Sequence, residues 1–191
     1  RTTTTYNARL MEVVLAHRKT PDVLAGMWKE ISRIAKEQKE PYLAKSTRRG
    51  VLSQVATYRV FQELGHTPTF ATPDEDAFNT VDMWEDDQTA LQVEWSDELE
   101  PQLLSTEALP VPAIAIPGTD ADRYYSSRTF SKVTRFRSKL QSLNRRGRKV
   151  HGYLLVVPDS MMDHVTGEPT QEIIHFVQKQ LGLKKQERRA A

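Results

Sequence analysis

Residues 78–95 read FNTVDMWEDDQTALQVEW, and this stretch decides the fold class. Its two ends, residues 78–84 and 89–95, are rich in the aromatic and β-branched side chains that favour strands. The polar residues 85–88 separate the two ends, as expected for a short connection between neighbouring strands. The pattern therefore predicts an antiparallel hairpin.

The candidate site residues lie on the two strands of this hairpin. Gln92 and Glu94 are two positions apart in the second strand, so their side chains project from the same face of the sheet. Pairing of the strands is expected to bring Asp82 near them. Two carboxylates and an amide oxygen suit a hard cation such as Mg²⁺ or Mn²⁺, with Asp82 and Glu94 as the metal ligands. Trp84 and Trp95 are expected to pack as a cross-strand pair or to line a pocket.

Helices are predicted on both sides of the hairpin. Apolar residues recur at helical spacing over 6–18 and 21–38, and a third, broadly apolar helix is predicted from Ser46 or Thr47 to Leu64. The other predicted elements are a strand over 66–71, an irregular segment over 101–112, an edge strand or loop over 113–116, a helix over 126–143, a buried strand over 152–157 and a helix over 169–181.

This order of elements predicts the architecture. After two N-terminal helices the core reads α-β-β-β-α-β-α, which is typical of an α/β or α+β fold with a mixed central sheet. We expect a helical extension over residues 1–45, the α/β core over 46–183 and a basic tail over 184–191.

Charge is divided unevenly along the chain, although the net charge is only +2. No lysine or arginine occurs between Arg59 and Arg123, and fifteen acidic residues lie in that interval. The next segment, residues 123–149, carries ten basic residues and no acidic one. Acidic strands followed by a basic helix are what a metal-dependent site acting on a polyanion needs.

Several kinds of site are excluded by composition and by missing motifs. The chain has no cysteine, so disulfides, thiolate nucleophiles and cysteine-based metal sites are impossible. It has no glycine-rich phosphate loop, no dinucleotide fingerprint and no nucleophile elbow, which argues against common NTPases, dehydrogenases and α/β hydrolases. No apolar run approaches the length that spans a membrane, and we expect a cytoplasmic protein without a membrane partner.

A basic stripe is predicted on the helix over 126–143. Four basic residues recur there at spacings of 4, 3 and 4, on a face separate from the apolar one: Arg128, Lys132, Arg135 and Lys139. Arg145 and Arg146 extend the charge beyond the helix. Such a stripe can follow a phosphate backbone. It can equally dock on the acidic residues of the chain itself or on an acidic partner.

Residues 46–157 have the predicted element order α-β-β-β-α-β, with Asp82 at the end of one strand and Gln92-Val93-Glu94 in the next. In these features they resemble the PD-(D/E)XK nuclease superfamily. The resemblance implies that Asp82 is the metal-binding aspartate and that Gln92 takes the following acidic position, as in some members. It implies a metal-dependent phosphodiester hydrolase acting on nucleic acid, with DNA ahead of RNA.

The chain departs from the pattern of that superfamily at two positions. Glu94 stands where most members have a catalytic lysine, although a few restriction enzymes carry glutamate there. Some members move the lysine to the following helix, where Lys132 or Lys139 would replace it. Ser53 and Gln54 stand where the first core helix often carries an acid.

Two alternatives follow from these departures and from the charge pattern. The first is a catalytically inactive domain of the same fold that binds nucleic acid or serves as an assembly module in a larger complex. The second is a protein-interaction module whose acidic and basic faces serve protein partners.

Overall fold

The computed structural model describes residues 2–72, 74–76, 81–97, 100–106, 134–141 and 150–182. Its main helices within these ranges are α1 (Thr2–Ala16), α2 (Pro21–Glu37), α3 (Pro41–Glu63), α4 (residues 134–141) and α5 (Gln171–Gln180). Its strands are β1 (Thr69–Phe70), β2 (Met83–Trp84), β3 (Thr89–Ser96), β4 (Gln102–Ser105) and β5 (His151–Pro158).

The five strands form one mixed sheet in the order β1-β2-β3-β5-β4. The predicted hairpin is confirmed, since β2 and β3 pair antiparallel with Met83 opposite Leu91. The strand predicted over 152–157 is also confirmed, because β5 lies parallel to β3 and is reached by a crossover that contains α4. The predicted α/β fold with a mixed sheet is therefore confirmed.

Strand β4 corrects the prediction that residues 101–112 are irregular. Residues 102–105 pair antiparallel with β5, with Leu103 opposite Leu155. This pairing covers the edge of β5 that does not pair with β3. The local sequence pattern of residues 101–112 does not reveal such a contact, because β5 lies far away in the sequence. The possible strand over 113–116 and the predicted tail over 184–191 lie outside the described residues.

Helix α3 begins earlier than predicted. Pro41 occupies its first turn, where the fixed φ of proline suits a helix and its missing N–H is not needed. Lys39 takes a positive φ of 61° and turns the chain between α2 and α3. The prediction of a start at Ser46 or Thr47 was wrong, and the expected boundary at residue 45 falls inside a continuous helix.

Apolar side chains cover both faces of the sheet. Leu91 and Val93 point to the larger core, which also contains apolar residues of α1, α2, α3 and α5. Ala90, on the opposite face, packs with Phe136 and Leu140 of α4. The sheet therefore lies between α3 on one side and α4 on the other. Within the described part of the chain, no helix combines the length and the apolar character needed to cross a membrane.

The loop after β5 anchors the N-terminal helices to the core. The Trp28 indole N–H donates a hydrogen bond of 2.9 Å to the Val165 carbonyl, and the Arg48 guanidinium donates to the His164 carbonyl. The loop is held by Asp163, whose Oδ1 accepts hydrogen bonds from the backbone N–H groups of Val165 and Thr166 and from the Thr166 hydroxyl. A single carboxylate thus fixes the carbonyls that hold α2 and α3.

Replacing Asp163 with alanine is expected to lower stability by about 1–2 kcal/mol at pH 7, because several hydrogen bonds to one carboxylate are lost. Burial acts to raise the pKa of Asp163, but the hydrogen bonds from Thr166 and Val165 outweigh it and hold the pKa below its usual value. A lowered folded-state pKa gives stability that is present above the unfolded pKa and is lost as pH falls through the folded pKa.

Thermal denaturation between pH 7 and about pH 2 measures this contribution. The difference in Tm between the native chain and Asp163→Ala should shrink as the pH is lowered. Asp163→Asn retains one acceptor oxygen and should lose less stability at pH 7. A difference that is equally large at both ends of the pH range would contradict the assignment.

Candidate functional site

Asp82 lies where β2 stops pairing with β3. Its main chain is still hydrogen-bonded on both sides, since its N–H donates to the Leu91 carbonyl at 2.9 Å and its carbonyl accepts from the Ala71 N–H at 3.0 Å. Its side chain then extends the ladder, because Oδ2 accepts a 2.7 Å hydrogen bond from the Val93 N–H. The carboxylate therefore lies at the edge between the two strands, beside the residue that separates Gln92 from Glu94.

Gln54 of α3 holds the second oxygen of this carboxylate. Its Nε2 donates to Asp82 Oδ1 at 2.5 Å, and the contact is partly buried. Sequence reasoning did not include Gln54 among the site residues. A signal was present, since Gln54 is a polar residue between Leu52 and Val55, both of which are buried. The contact orients Asp82 from the side of α3.

Gln92 and Glu94 share one face of β3, as predicted. Because Leu91 and Val93 point to the core that contains α3, alternation places Gln92 and Glu94 on the opposite face, the side of Ala90 and α4. Both side chains are partly exposed. The Gln92 Oε1 atom is buried and has no hydrogen-bond partner among the described residues.

The donors at this position are all oxygen atoms. Two carboxylates and one amide oxygen are of the type that Mg²⁺ or Mn²⁺ prefers. The contact with Gln54 draws the Asp82 carboxylate towards α3, however, whereas Gln92 and Glu94 lie on the α4 face of the sheet. Over the described ranges, no three histidine or acidic side chains come together as a metal-binding group. A cation held by Asp82 or by Glu94 would therefore need water or substrate phosphate oxygens to complete its coordination shell.

A second charged group lies at the carboxyl ends of β3 and β5. Arg49 of α3 forms ion pairs with Asp97, at 2.8 Å, and with Asp159. Its guanidinium also lies 4.4 Å from the centre of the Trp95 ring. Asp159 Oδ1 is buried and has no hydrogen-bond partner among the described residues. Arg49 thus joins α3 to the ends of both parallel strands.

Only part of the predicted basic stripe falls within the described residues. Arg135 and Lys139 are exposed on α4, whereas Phe136 and Leu140 are buried, which agrees with the predicted separation of basic and apolar faces. The other predicted nucleic-acid contacts lie outside the described residues: Arg128, Lys132, Arg145 and Arg146.

A cavity of about 430 Å³ lies at the other end of the hairpin. Described residues that line it are Thr67, Thr69, Glu75, Trp84, Glu85, Asp86 and Asp87. Burial raises the pKa of Glu85, although His66, whose Nδ1 lies 2.8 Å from the Glu85 carboxylate, acts in the opposite direction. This acidic lining is not complementary to phosphate. The described residues that line the cavity do not include Asp82, Gln92 or Glu94, so the cavity is separate from the candidate site.

The two tryptophans do not form the predicted cross-strand pair. Trp84 lies opposite Ala90, and Trp95 lies farther along β3 beneath Arg49. The alternative prediction is confirmed for Trp84, which lines the cavity.

No protein-family model, no curated protein and no solved structure was found to match the chain.

Proposed function

We propose that this chain is a PD-(D/E)XK-like domain that hydrolyses phosphodiester bonds in nucleic acid, with DNA ahead of RNA as the substrate. Asp82 and Glu94 would hold Mg²⁺ or Mn²⁺, and Gln92 would assist. The observation that carries the proposal is the hydrogen bond from the Val93 N–H to Asp82. It brings the carboxylate beside the residue that lies between Gln92 and Glu94.

The order of the elements gives independent support. Helix α3 is followed by β1, β2 and β3, and then by α4 and β5, with β5 parallel to β3. Apart from β4, which is added between β3 and α4, this is the α-β-β-β-α-β order on which the resemblance to the nuclease superfamily rests. Gln54, at the position where the first core helix often carries an acid, contacts Asp82 directly.

Each residue has a distinct role in the proposed reaction. A bound divalent cation would polarise a phosphoryl oxygen and lower the pKa of a bound water. Gln54 and the Val93 N–H fix the orientation of the Asp82 carboxylate. Arg135 and Lys139 would neutralise substrate phosphates from the α4 side of the sheet. Lys132 would supply the lysine that the motif lacks at position 94.

A second candidate is a binding domain of the same fold without catalysis. Both oxygens of Asp82 already accept hydrogen bonds within the protein, which is what a purely structural carboxylate does. In this case Arg135 and Lys139 would still contact phosphates. Affinity would not depend on a divalent cation, but it would fall steeply with salt.

Labelled single- and double-stranded DNA and RNA, incubated with Mn²⁺ or with EDTA, test the proposal. We expect cleavage with Mn²⁺ alone. In Glu94→Gln we expect a decrease larger than the about 10- to 100-fold that is typical when only a group beside a metal ligand is changed, because Glu94 is itself a proposed ligand. Glu172→Gln, an exposed change on α5, is the matched control and should cleave normally.

The other outcomes separate the two candidates. Retardation of the nucleic acid on a gel without cleavage would reject hydrolysis and favour the binding domain. Cleavage that persists unchanged in EDTA would reject the metal site. If the chain neither binds nor cleaves any of the four nucleic acids, both candidates are wrong and a protein partner is favoured.

A further inference from the structure

Helix α3 extends beyond the end of the sheet on which it packs. The side chains of Pro41, Tyr42 and Leu43 are exposed and that of Ala44 is buried, those of residues 47–50 are intermediate, and those of residues 51–53 are buried. Arg49 contacts Trp95 and Asp97 at the last residues of β3 and just beyond them. The first two turns of α3 therefore project past the carboxyl end of that strand.

Tyr42 continues the face of α3 that carries Arg49. The two residues are seven positions apart, which places them on the same side of a helix. Tyr42 is 66% exposed, a larger fraction than for any other bulky apolar side chain in the described part of the chain. Its ring is therefore open to solvent on the part of α3 that precedes Arg49.

The surroundings of Tyr42 carry a small net positive charge. Lys39 and Lys45 flank it, and neither forms a salt bridge with any described residue. Together with Glu40, the two lysines give residues 39–45 a net charge of +1. Asp97 and Asp159 both pair with Arg49, whose single positive charge offsets one of their two negative charges.

We propose that Tyr42, Lys39 and Lys45 form a contact surface for single-stranded nucleic acid, on which a base stacks against Tyr42 and a phosphate pairs with a lysine. The inference rests on the proposed function, because it names the form of nucleic acid that the chain would hold. Tyr42 and Lys45 are three positions apart, so their Cβ atoms lie about 5–6 Å from each other. One nucleotide can therefore contact both residues.

An unpaired strand fits this surface better than a duplex does. An aromatic side chain stacks on the face of a base, and in a duplex those faces are covered by the neighbouring base pairs. Stacking tolerates any sequence because every base has an aromatic face. The surface is therefore expected to favour single strands without favouring a sequence.

Fluorescence anisotropy tests the inference, with a labelled oligothymidylate of about 20 nucleotides and a blunt duplex of the same length, both in EDTA to prevent cleavage. For Tyr42→Ala we expect the Kd for the single strand to rise by about 5- to 150-fold, the range typical of one lost stacking contact. Tyr42→Phe should bind like the native chain. Lys45→Ala should weaken binding and make its dependence on salt less steep.

Two control variants isolate this surface. Tyr6→Ala removes an aromatic side chain that is 49% exposed on α1, and Lys179→Ala removes an exposed lysine on α5. Both should bind the single strand normally. If Tyr42→Ala binds it as tightly as the native chain, or loses equal affinity for the duplex, the inference is wrong. Absence of single-strand binding by the native chain would also overturn it.

Measurements of cleavage and of single-strand binding on the same set of variants distinguish this inference from the proposed hydrolysis. Cleavage by native chain that survives in Asp82→Asn, together with weakened binding in Tyr42→Ala, would reject the metal site and support the binding surface. Loss of cleavage in Asp82→Asn, with single-strand affinity unchanged in Tyr42→Ala, would support the metal site and reject the surface.

Discussion

Replacing Asp82 with asparagine is expected to abolish metal-dependent cleavage while leaving the fold intact. Asparagine has nearly the same shape, and its amide oxygen can still accept the hydrogen bond from Val93 that aspartate accepts at 2.7 Å. The Gln54 amide can turn so that its oxygen accepts from the new side-chain NH₂ group. What is lost is the negative charge, which a hard divalent cation requires most.

Asparagine is a sharper test than alanine at this position. Asp82→Ala should also stop cleavage, but it removes an acceptor from a partly buried N–H, which costs about 1–3 kcal/mol. A loss of activity in that variant alone would not separate chemistry from damage to the sheet. Asp82→Asn avoids this problem because the Val93 N–H and the Gln54 amide can each still form a hydrogen bond with the new side chain.

Cleavage rates in Mn²⁺, measured beside circular dichroism and thermal denaturation, check the prediction. Asp22→Asn is the matched control, since it removes an exposed carboxylate in the first turn of α2. It should cleave at the native rate. If Asp82→Asn is folded and also cleaves at that rate, hydrolysis through a metal at Asp82 is wrong.

Much of the fold could be predicted because its signals are local. The alternation in 89–95 and the apolar run in 152–157 each define a strand without reference to distant residues. A sequence signal that is compatible with two different local structures was less informative. Glu40-Pro41 is compatible with the end of one helix and with the start of the next. Here α2 already ends at Glu37, and Pro41 begins α3. Strand β4 forms because β5 offers an open edge, which is a property of the assembled sheet.

The shared face of Gln92 and Glu94 could be predicted from the sequence, but the orientation of Asp82 could not. Spacing in β3 correctly places Gln92 and Glu94 on one face. It does not reveal that Asp82 uses its side chain to continue the ladder instead of projecting from that face, because this depends on where β2 separates from β3. The contact from Gln54 depends on how α3 packs across the sheet, which a pattern within one helix cannot specify.

Replacing Gly152 with alanine is expected to destabilise the protein by about 1–3 kcal/mol, the usual result of overfilling a packed core. A Cβ atom there would lie 2.1 Å from Leu140 Cδ1 and 3.0 Å from both Phe136 Cε1 and Thr106 Cγ2. Leu140 is 2% exposed and Phe136 is fully buried, so neither side chain has open space in which to move. The remaining response is a shift of α4 away from β5.

Thermal denaturation measures the cost, which corresponds to about 2–4 °C in Tm for each kcal/mol in a chain of this size. Gly26→Ala is the matched control, because nothing lies within 4 Å of a Cβ at that helical position. That change should be neutral or should raise stability by up to about 1 kcal/mol. An equal Tm for Gly152→Ala and the native chain would contradict the close packing of α4 on β5.

The same substitution connects packing to the proposed function. Arg135 and Lys139 are fixed relative to the sheet by Phe136 and Leu140, the two side chains that a Cβ at Gly152 would displace. If α4 carries phosphate contacts, Gly152→Ala should weaken nucleic-acid binding at temperatures where the variant is still folded. Gly26→Ala should not weaken it. A destabilised variant with native affinity would show that binding does not depend on the position of α4, and would move the phosphate contacts to other basic residues.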